Sequence, residues 1–290
     1  TYGHISDWNV SAVTNMSNAF KDRATFNEDI SGWDTSNVTS MGEMFRSASA
    51  FNQDLSNWDV SNVSSMKYMF HRAVAFNQPI GDWNVSTVTD MQEMFLKAHS
   101  FDQPIGNWNV SSVTNMRSMF SLATSFNQPI GDWDMSSVTN MRDLFYKAVA
   151  FNQPIGDWNV SGATDFSAMF RNATSFNQPI GNWNTGNVNT IARMFQEAQS
   201  FNQSFGNWDI SSIVNTGNAF KGTTALSDTN KGKIHDAFSV NKNWNYDWSE
   251  FVEEDTNKDD QKDQNPPATD NKGATDEKGK DTPHPDQEKP

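Results

Sequence analysis

Residues 101–125 read FDQPIGNWNVSSVTNMRSMFSLATS. The 25 residues from Phe76 read FNQPIGDWNVSTVTDMQEMFLKAHS and those from Phe51 read FNQDLSNWDVSNVSSMKYMFHRAVA, with no insertion or deletion between copies. The register runs from Thr1 to Ala225, enough for nine copies. A fixed period of this length is the signature of a stacked array, in which each unit buries its apolar face against its neighbours.

Within one copy the apolar spacing changes. Trp108 and Val110 flank polar Asn109, which predicts a short strand with one face buried. Val113, Met116, Met119, Phe120 and Ala123 follow steps of three and four, which predicts a short helix with an inward stripe. Phe101 to Ile105 carries polar residues and Pro between two apolar anchors, which predicts a turn-rich return. The expected class is therefore α/β, a solenoid of nine 25-residue coils with short parallel strands and short helices. Strands stacked at about 4.8 Å would make its body roughly 45 Å long.

Stacking copies aligns like residues in columns. Trp8, Trp33, Trp58 and so on to Trp208 form one, and Phe26 to Phe201 and Phe20 to Phe220 form two more, so aromatics supply most of the core. The column of Asn52, Asn77, Asn127, Asn152, Asn177 and Asn202 beside Gln53 to Gln203 predicts a stacked amide ladder that serves buried backbone groups. Met41, Met66, Met91, Met116 and Met141 read as core rather than metal ligands. The column of Gly81, Gly106, Gly131 and Gly156 reads as a turn residue.

The unit W-(D/N)-V-S-x-V-T-x-M-x-x-M-F-x-x-A-x-x-F-N-Q-(P/D)-I resembles the repeat of BspA-like leucine-rich-repeat surface proteins, in the 25-residue branch first catalogued among mycoplasma lipoproteins. The resemblance spans about three quarters of the chain. It implies a right-handed leucine-rich-repeat-like solenoid, secreted or held at the cell surface of a bacterium, with adhesion or recognition as its role.

The motif relaxes at both ends of the array, at Ala19-Phe20 in the first copy and at Ile191, Thr216 and Ala219-Phe220 in the last two. Thr1 enters mid-pattern, so residues are expected to precede it, a signal peptide among them. Residues 226–252 are expected to close the open end. Ser227 suits a helix cap, Ile234, Ala237 and Phe238 make an apolar stripe, and Trp244, Tyr246, Trp248 and Phe251 add area. Residues 253–290 hold twelve Asp or Glu against six Lys, with too few apolar residues for a core, and read as an acidic disordered tail or linker. The run DTNKDDQKDQN from Asp255 imitates a calcium loop, but Asp260 stands where the turn Gly belongs and Pro266 where the closing Glu belongs.

No Cys is present, which removes disulfide, zinc-thiolate and thiol-nucleophile chemistry together and fits an exported bacterial protein. No apolar run reaches the length of a membrane span. The net charge of −14 divides into −6 for the tail and −8 for the rest, which disfavours nucleic acid as a partner. His4, His71, His99, His235 and His284 occupy unrelated repeat positions, and solvent exposure is the ordinary expectation for His71 and His99. Without a cleft, a recurrent nucleophile or a phosphate loop, no catalytic residue, metal ligand or cofactor is assigned.

The residues flanking Trp and Val are expected to point away from the core. Asp82, Asn84 and Ser86 would then align with Asn107, Asn109 and Ser111, with Asp132, Asp134 and Ser136, and with Asp157 and Asn159. Such a polar stripe suits a host or matrix protein, or a surface glycan, held through many weak hydrogen bonds. The competing reading is a rigid stalk that presents another domain, because near-identical copies are unusual for a specific protein-binding face. Variation lies instead on the other side, at Lys67-Tyr68, Gln92-Glu93 and Arg117-Ser118. The Thr14, Thr39, Thr89, Thr114, Thr139, Thr164 column raises a third reading, ice binding, though Ser64, Asn189 and Val214 interrupt it.

Overall fold

A computed structural model describes residues 3–253, so Thr1, Tyr2 and the acidic tail with its calcium-like run lie outside the described residues. The coils stack in the register the period dictates. Isolated parallel bridges link Asn15 to Ser40, Ser40 to Ser65, and onward every 25 residues to Asn215.

These bridges correct the expected strands. Trp108 to Val110 is unpaired, and the bridge lies five residues further on at Asn115. Each is one residue pair wide: the Thr39 N–H donates to the Thr14 carbonyl and the Met16 N–H to the Ser40 carbonyl, on either side of the Asn15 and Ser40 pair. The Thr39 hydroxyl donates to the same Thr14 carbonyl at 3.1 Å. Ser64, Thr89, Thr114, Thr139 and Thr164 repeat this bond one coil later each time.

No α-helix forms within the described coils either. The only α-helix among the described residues, α1, spans Asp228–Phe238, with short 3₁₀ turns at Ile5–Asp7 and Ser249–Phe251. Where a helix was expected, successive turns share residues: Met119 N–H to Met116 carbonyl, Ser121 to Ser118, Ala123 to Phe120. The intervening N–H groups of Met116, Ser118, Phe120 and Leu122 donate instead to the next coil, at Asn140, Arg142, Leu144 and Tyr146. Alternate amides thus close turns and join coils, whereas a helix would keep them all within the segment.

This alternation places two residues per coil, four apart, at positive φ. They include Glu93 (54°) and Lys97 (59°), Ser118 (55°) and Leu122 (59°), and Asp143 (55°) and Lys147 (56°). The turn repeat carries side chains inward at steps of three and four, so the apolar face is the expected one. Val113, Met116, Met119, Phe120 and Ala123 are all fully buried.

The return path is also straighter than expected, with turns at its ends rather than within it. They are closed by Phe101 N–H to Ala98 and Trp108 N–H to Ile105. The Gly column beside it is set by close approach, not by conformation. A Cβ on Gly106 would lie 2.6 Å from the Pro129 carbonyl of the next coil, and Gly131 and Gly156 repeat this at 2.7 and 2.6 Å.

The core is a set of aromatic columns. Phe95 and Phe101 stack within one coil at 3.9 Å, and each meets its equivalent in the next coil, Phe95 to Phe120 at 5.8 Å and Phe101 to Phe126 at 6.0 Å. Trp108 lies 6.5 Å from Trp133 with the rings parallel within 2°. The distances between coils, 5.8–6.5 Å, lie in the range of favourable aromatic pairs, and the pair within a coil is closer.

The amide ladder is present and unbroken. The N–H of Asn52 donates to Asn27 Oδ1, that of Asn77 to Asn52 Oδ1, and the series continues through Asp102 and Asn127 to Asn202. Ser227 takes the last rung on Asn202 Oδ1 at 2.9 Å, while its own Oγ caps α1 by accepting from Asn230 N–H. Asn230 Nδ2 reaches the Asn202 carbonyl and Oδ1, the place Gln203 occupies on Asn177. The register therefore persists two residues beyond Ala225.

Beyond α1, the chain covers the last coil. Phe238 packs on Phe205 and Trp208, and Trp244, Tyr246 and Trp248 surround Phe220 at 5.6–6.1 Å. The Phe220 N–H donates to the Tyr246 hydroxyl at 2.8 Å, where a further coil would have offered a carbonyl. Thr216 donates to the Asn243 carbonyl at 2.6 Å, which accounts for its replacing the column's Met.

Candidate functional site

Asp82, Asn107, Asp132 and Asp157 are exposed and lie in the turn that ends at Trp. Asn84, Asn109, Asp134 and Asn159 are exposed two residues later, between buried Trp and a buried apolar residue. Ser86 and Ser111 are half-buried and Ser136 is exposed. The candidate residues therefore share one solvent-facing side of the coil, but on two turns and the short link between them rather than on a sheet.

The second of these columns has a local task that sequence reasoning missed. Asn84 Oδ1 accepts from the Ser86 N–H at 3.2 Å and from its hydroxyl at 2.7 Å. Asn109 with Ser111 and Asn159 with Ser161 repeat both bonds, and Asp134 accepts from Ser136 N–H at 3.0 Å. These are Asx turns, which explains the preference for Asp, Asn and Ser. The Ser136 hydroxyl and N–H hold the Asp134 carboxyl below the usual carboxylate range, and Ser36 and Ser61 do the same for Asp34 and Asp59. One oxygen is thus committed to the fold, and each exposed side chain is fixed in direction.

Asp82, Asn107, Asp132 and Asp157 carry no such local bond among the described contacts. Together the columns present acceptors and carboxylates at coil pitch, without a Lys or Arg among them. Such an array suits hydroxyl, amide or cationic donors. At the C-terminal end the Asn84 and Ser86 columns, as Asp209 and Ser211, enter a groove of about 710 Å³ shared with Lys242 and flanked by exposed Val214 and Val240.

His99 is exposed, but His71 is buried, contrary to expectation. Burial, reinforced by Arg46, Arg72 and Lys97, pulls its pKa down to about 4, against the smaller opposing pull of Glu43. Its Nδ1 lies 3.2 Å from Glu93 Oε2 without the geometry of a hydrogen bond. His235 is half-buried, and its Nδ1 accepts from the Trp244 indole at 3.2 Å and the Trp248 N–H at 3.3 Å. Among the described residues no three His, Asp or Glu side chains gather as a metal site would need, and no helix is long and apolar enough to cross a membrane.

The variable side of the coil also gathers three arginines, Arg142, Arg171 and Arg193, around one depression. Only the spatial stacking of columns brings these positions together.

A family model described as "Mycoplasma protein of unknown function, DUF285" matches residues 1–95, 58–137, 77–166 and 128–233. No curated protein matches the chain. Among solved structures, a leucine rich cell surface protein from Faecalibacterium prausnitzii is 13% identical over 75% of this chain and 76% of its own, with a TM-score of 0.31. The Toll–Spatzle complex of Drosophila is 15% identical over 66% of this chain and 32% of its own, with a TM-score of 0.27.

Proposed function

Because the chain belongs to the DUF285 family and repeats one rigid, solvent-facing Asx array on every coil, we propose that it is a non-enzymatic bacterial surface protein that recognises an extracellular partner. The partner is a host or matrix protein or a surface glycan. The reading includes a right-handed solenoid of nine coils, a closing segment over residues 226–252 and adhesion as the biological outcome.

The observation that carries it is the pair of exposed columns, Asp82 to Asp157 and Asn84 to Asn159, with the second column held in direction by Ser N–H groups. Pre-set donors and acceptors lose less freedom on binding, and repetition at fixed pitch adds weak contacts into useful avidity. Specificity for a repeating ligand follows from the pitch itself.

The test is binding of the purified chain to a glycan array and to immobilised matrix proteins, beside a variant with Asp82, Asp132 and Asp157 changed to Lys. These positions carry no Asx turn, so the variant keeps the fold. Loss of a parental binding signal supports the stripe, whereas equal binding by both proteins removes it. If neither protein binds anything, the stalk becomes the better account, as the near-identity of the copies would favour.

A further inference from the structure

The depression on the variable side follows from two columns read in the stacking direction. At one position the residues run Arg117, Arg142, Ser167, Ala192, Gly217, and at the next they run Ser118, Asp143, Ala168, Arg193, Asn218. Side chains shrink along the first column just where the second supplies a single arginine. The result is a hollow of about 400 Å³ lined in part by small residues, Ala168, Ala192 and Gly217. Its lining also includes Arg142, Arg171 and Arg193, with Asp143, Asn215 and Asn218 beside them.

The charges within it are unevenly matched. Arg142 Nε pairs with Asp143 Oδ2 at 3.2 Å. Arg171 and Arg193 have no carboxylate within ion-pair distance among the described residues, although the chain is strongly acidic. Arg171 is oriented by the Tyr146 ring, 5.4 Å from its guanidinium carbon, and its Nε is buried with no hydrogen-bond partner. Two guanidinium groups left unpaired beside the Arg142 and Asp143 pair form a site for a planar anion, because the guanidinium fork matches a carboxylate in two-point geometry.

The remaining polar groups narrow the ligand. Asp143 would repel a second negative charge but accepts from a hydroxyl, and Asn215 and Asn218 each offer a donor and an acceptor. A run of acidic residues in a peptide meets Asp143 unfavourably, whereas one carboxylate surrounded by hydroxyls satisfies every group. The hollow falls in the size range of small-molecule sites. We infer that this depression binds an acidic sugar, a monosaccharide unit carrying a single carboxylate, with Arg171 and Arg193 on the carboxylate. The inference does not rest on the Asx columns, which belong to another part of the coil.

Isothermal titration of the full chain with glucuronate and N-acetylneuraminate, beside glucose, acetate and a hexaglutamate peptide, tests it. Saturable binding of at least one acidic sugar, with glucose and acetate inert, is the expected result. Arg193→Gln should weaken it by about tenfold or more, the scale of one charge-assisted pair. Ala192→Arg should fill the hollow, and it introduces the residue that the same backbone position already accepts as Arg142 and Arg117, so folding is preserved. The variant with Asp82, Asp132 and Asp157 changed to Lys should bind acidic sugar as the parent does. No binding of either acidic sugar, binding unaltered in both Arg193→Gln and Ala192→Arg, or equal binding of acetate or hexaglutamate would each overturn the inference.

Discussion

The indole N–H of Trp108 donates to the Ile80 carbonyl of the preceding coil at 3.0 Å, the same carbonyl that accepts the Trp83 backbone N–H at 3.2 Å. One oxygen therefore closes a turn within its coil and holds the next coil in place. The arrangement repeats from Trp33 to Trp208. It explains why the column is Trp throughout, although Phe fills neighbouring columns.

Trp108→Phe should keep most of the packing and lose the bond, costing about 1–2 kcal/mol, while Trp108→Ala should cost about 3–5 kcal/mol. Urea unfolding monitored by circular dichroism measures both. A phenylalanine variant as unstable as the alanine variant would place the indole's value in shape alone.

Asn127 takes part in two rungs, with its N–H on Asp102 and its Oδ1 under the Asn152 N–H, each at 2.9 Å. Asn127→Ala should orphan the upper amide and cost about 1–3 kcal/mol. Asn127→Asp should be close to neutral, since the oxygen remains. Unfolding midpoints of the two variants should therefore separate clearly.

Lys147 is exposed at φ 56°, and its N–H donates to the Arg171 carbonyl at 2.8 Å. A β-branched residue fits this conformation worse and Asn fits it better. Lys147→Val should lower stability by about 1 kcal/mol or more, and Lys147→Asn should hold or raise it slightly, on the scale of left-handed backbone strain. Thermal unfolding of the pair reads out the difference, and the opposite ranking would contradict the backbone assignment.

His71 titrates at about 4 in the folded protein, below the 6.5 of a free histidine. Between these values the unfolded chain binds more protons, so acidification favours unfolding. Stability should be undiminished above about pH 6.5 and should fall toward pH 4, by about 3 kcal/mol in total at one pKa unit per 1.36 kcal/mol. His71→Gln should flatten that part of the profile, as urea midpoints at pH 7, 5.5 and 4.5 would show.

The period, the aromatic columns and the asparagine ladder were all legible in the sequence, because each depends only on identical residues meeting at a fixed register. Elements were harder to read. Inward steps of three and four arise from a helix and equally from consecutive turns, and the residues at positive φ, such as Glu93, Lys97 and Leu122, are not the glycines that would announce them. The strand was misplaced because the alternation at Trp108 and Val110 reflects a buried indole between two turns, whereas pairing falls at Asn115. For the candidate stripe, exposure was legible, but the Asx turns of Asn84 and Asn109 were not separated from a ligand-facing role. The arginine hollow needed the fold, since Arg142, Arg171 and Arg193 share no repeat position.

The ladder also governs how the molecule ages. Asparagine amides hydrolyse slowly and irreversibly to carboxylates, and in many folds that lesion breaks a hydrogen bond. Here the neighbouring coil asks only for Oδ1, which survives the hydrolysis, and Asp102 already serves two donors at 2.9 Å in this way. Deamidation to aspartate therefore adds charge while leaving the rung's backbone bond in place, whereas the isoaspartate product, which lengthens the backbone by one carbon, shifts the register of its coil.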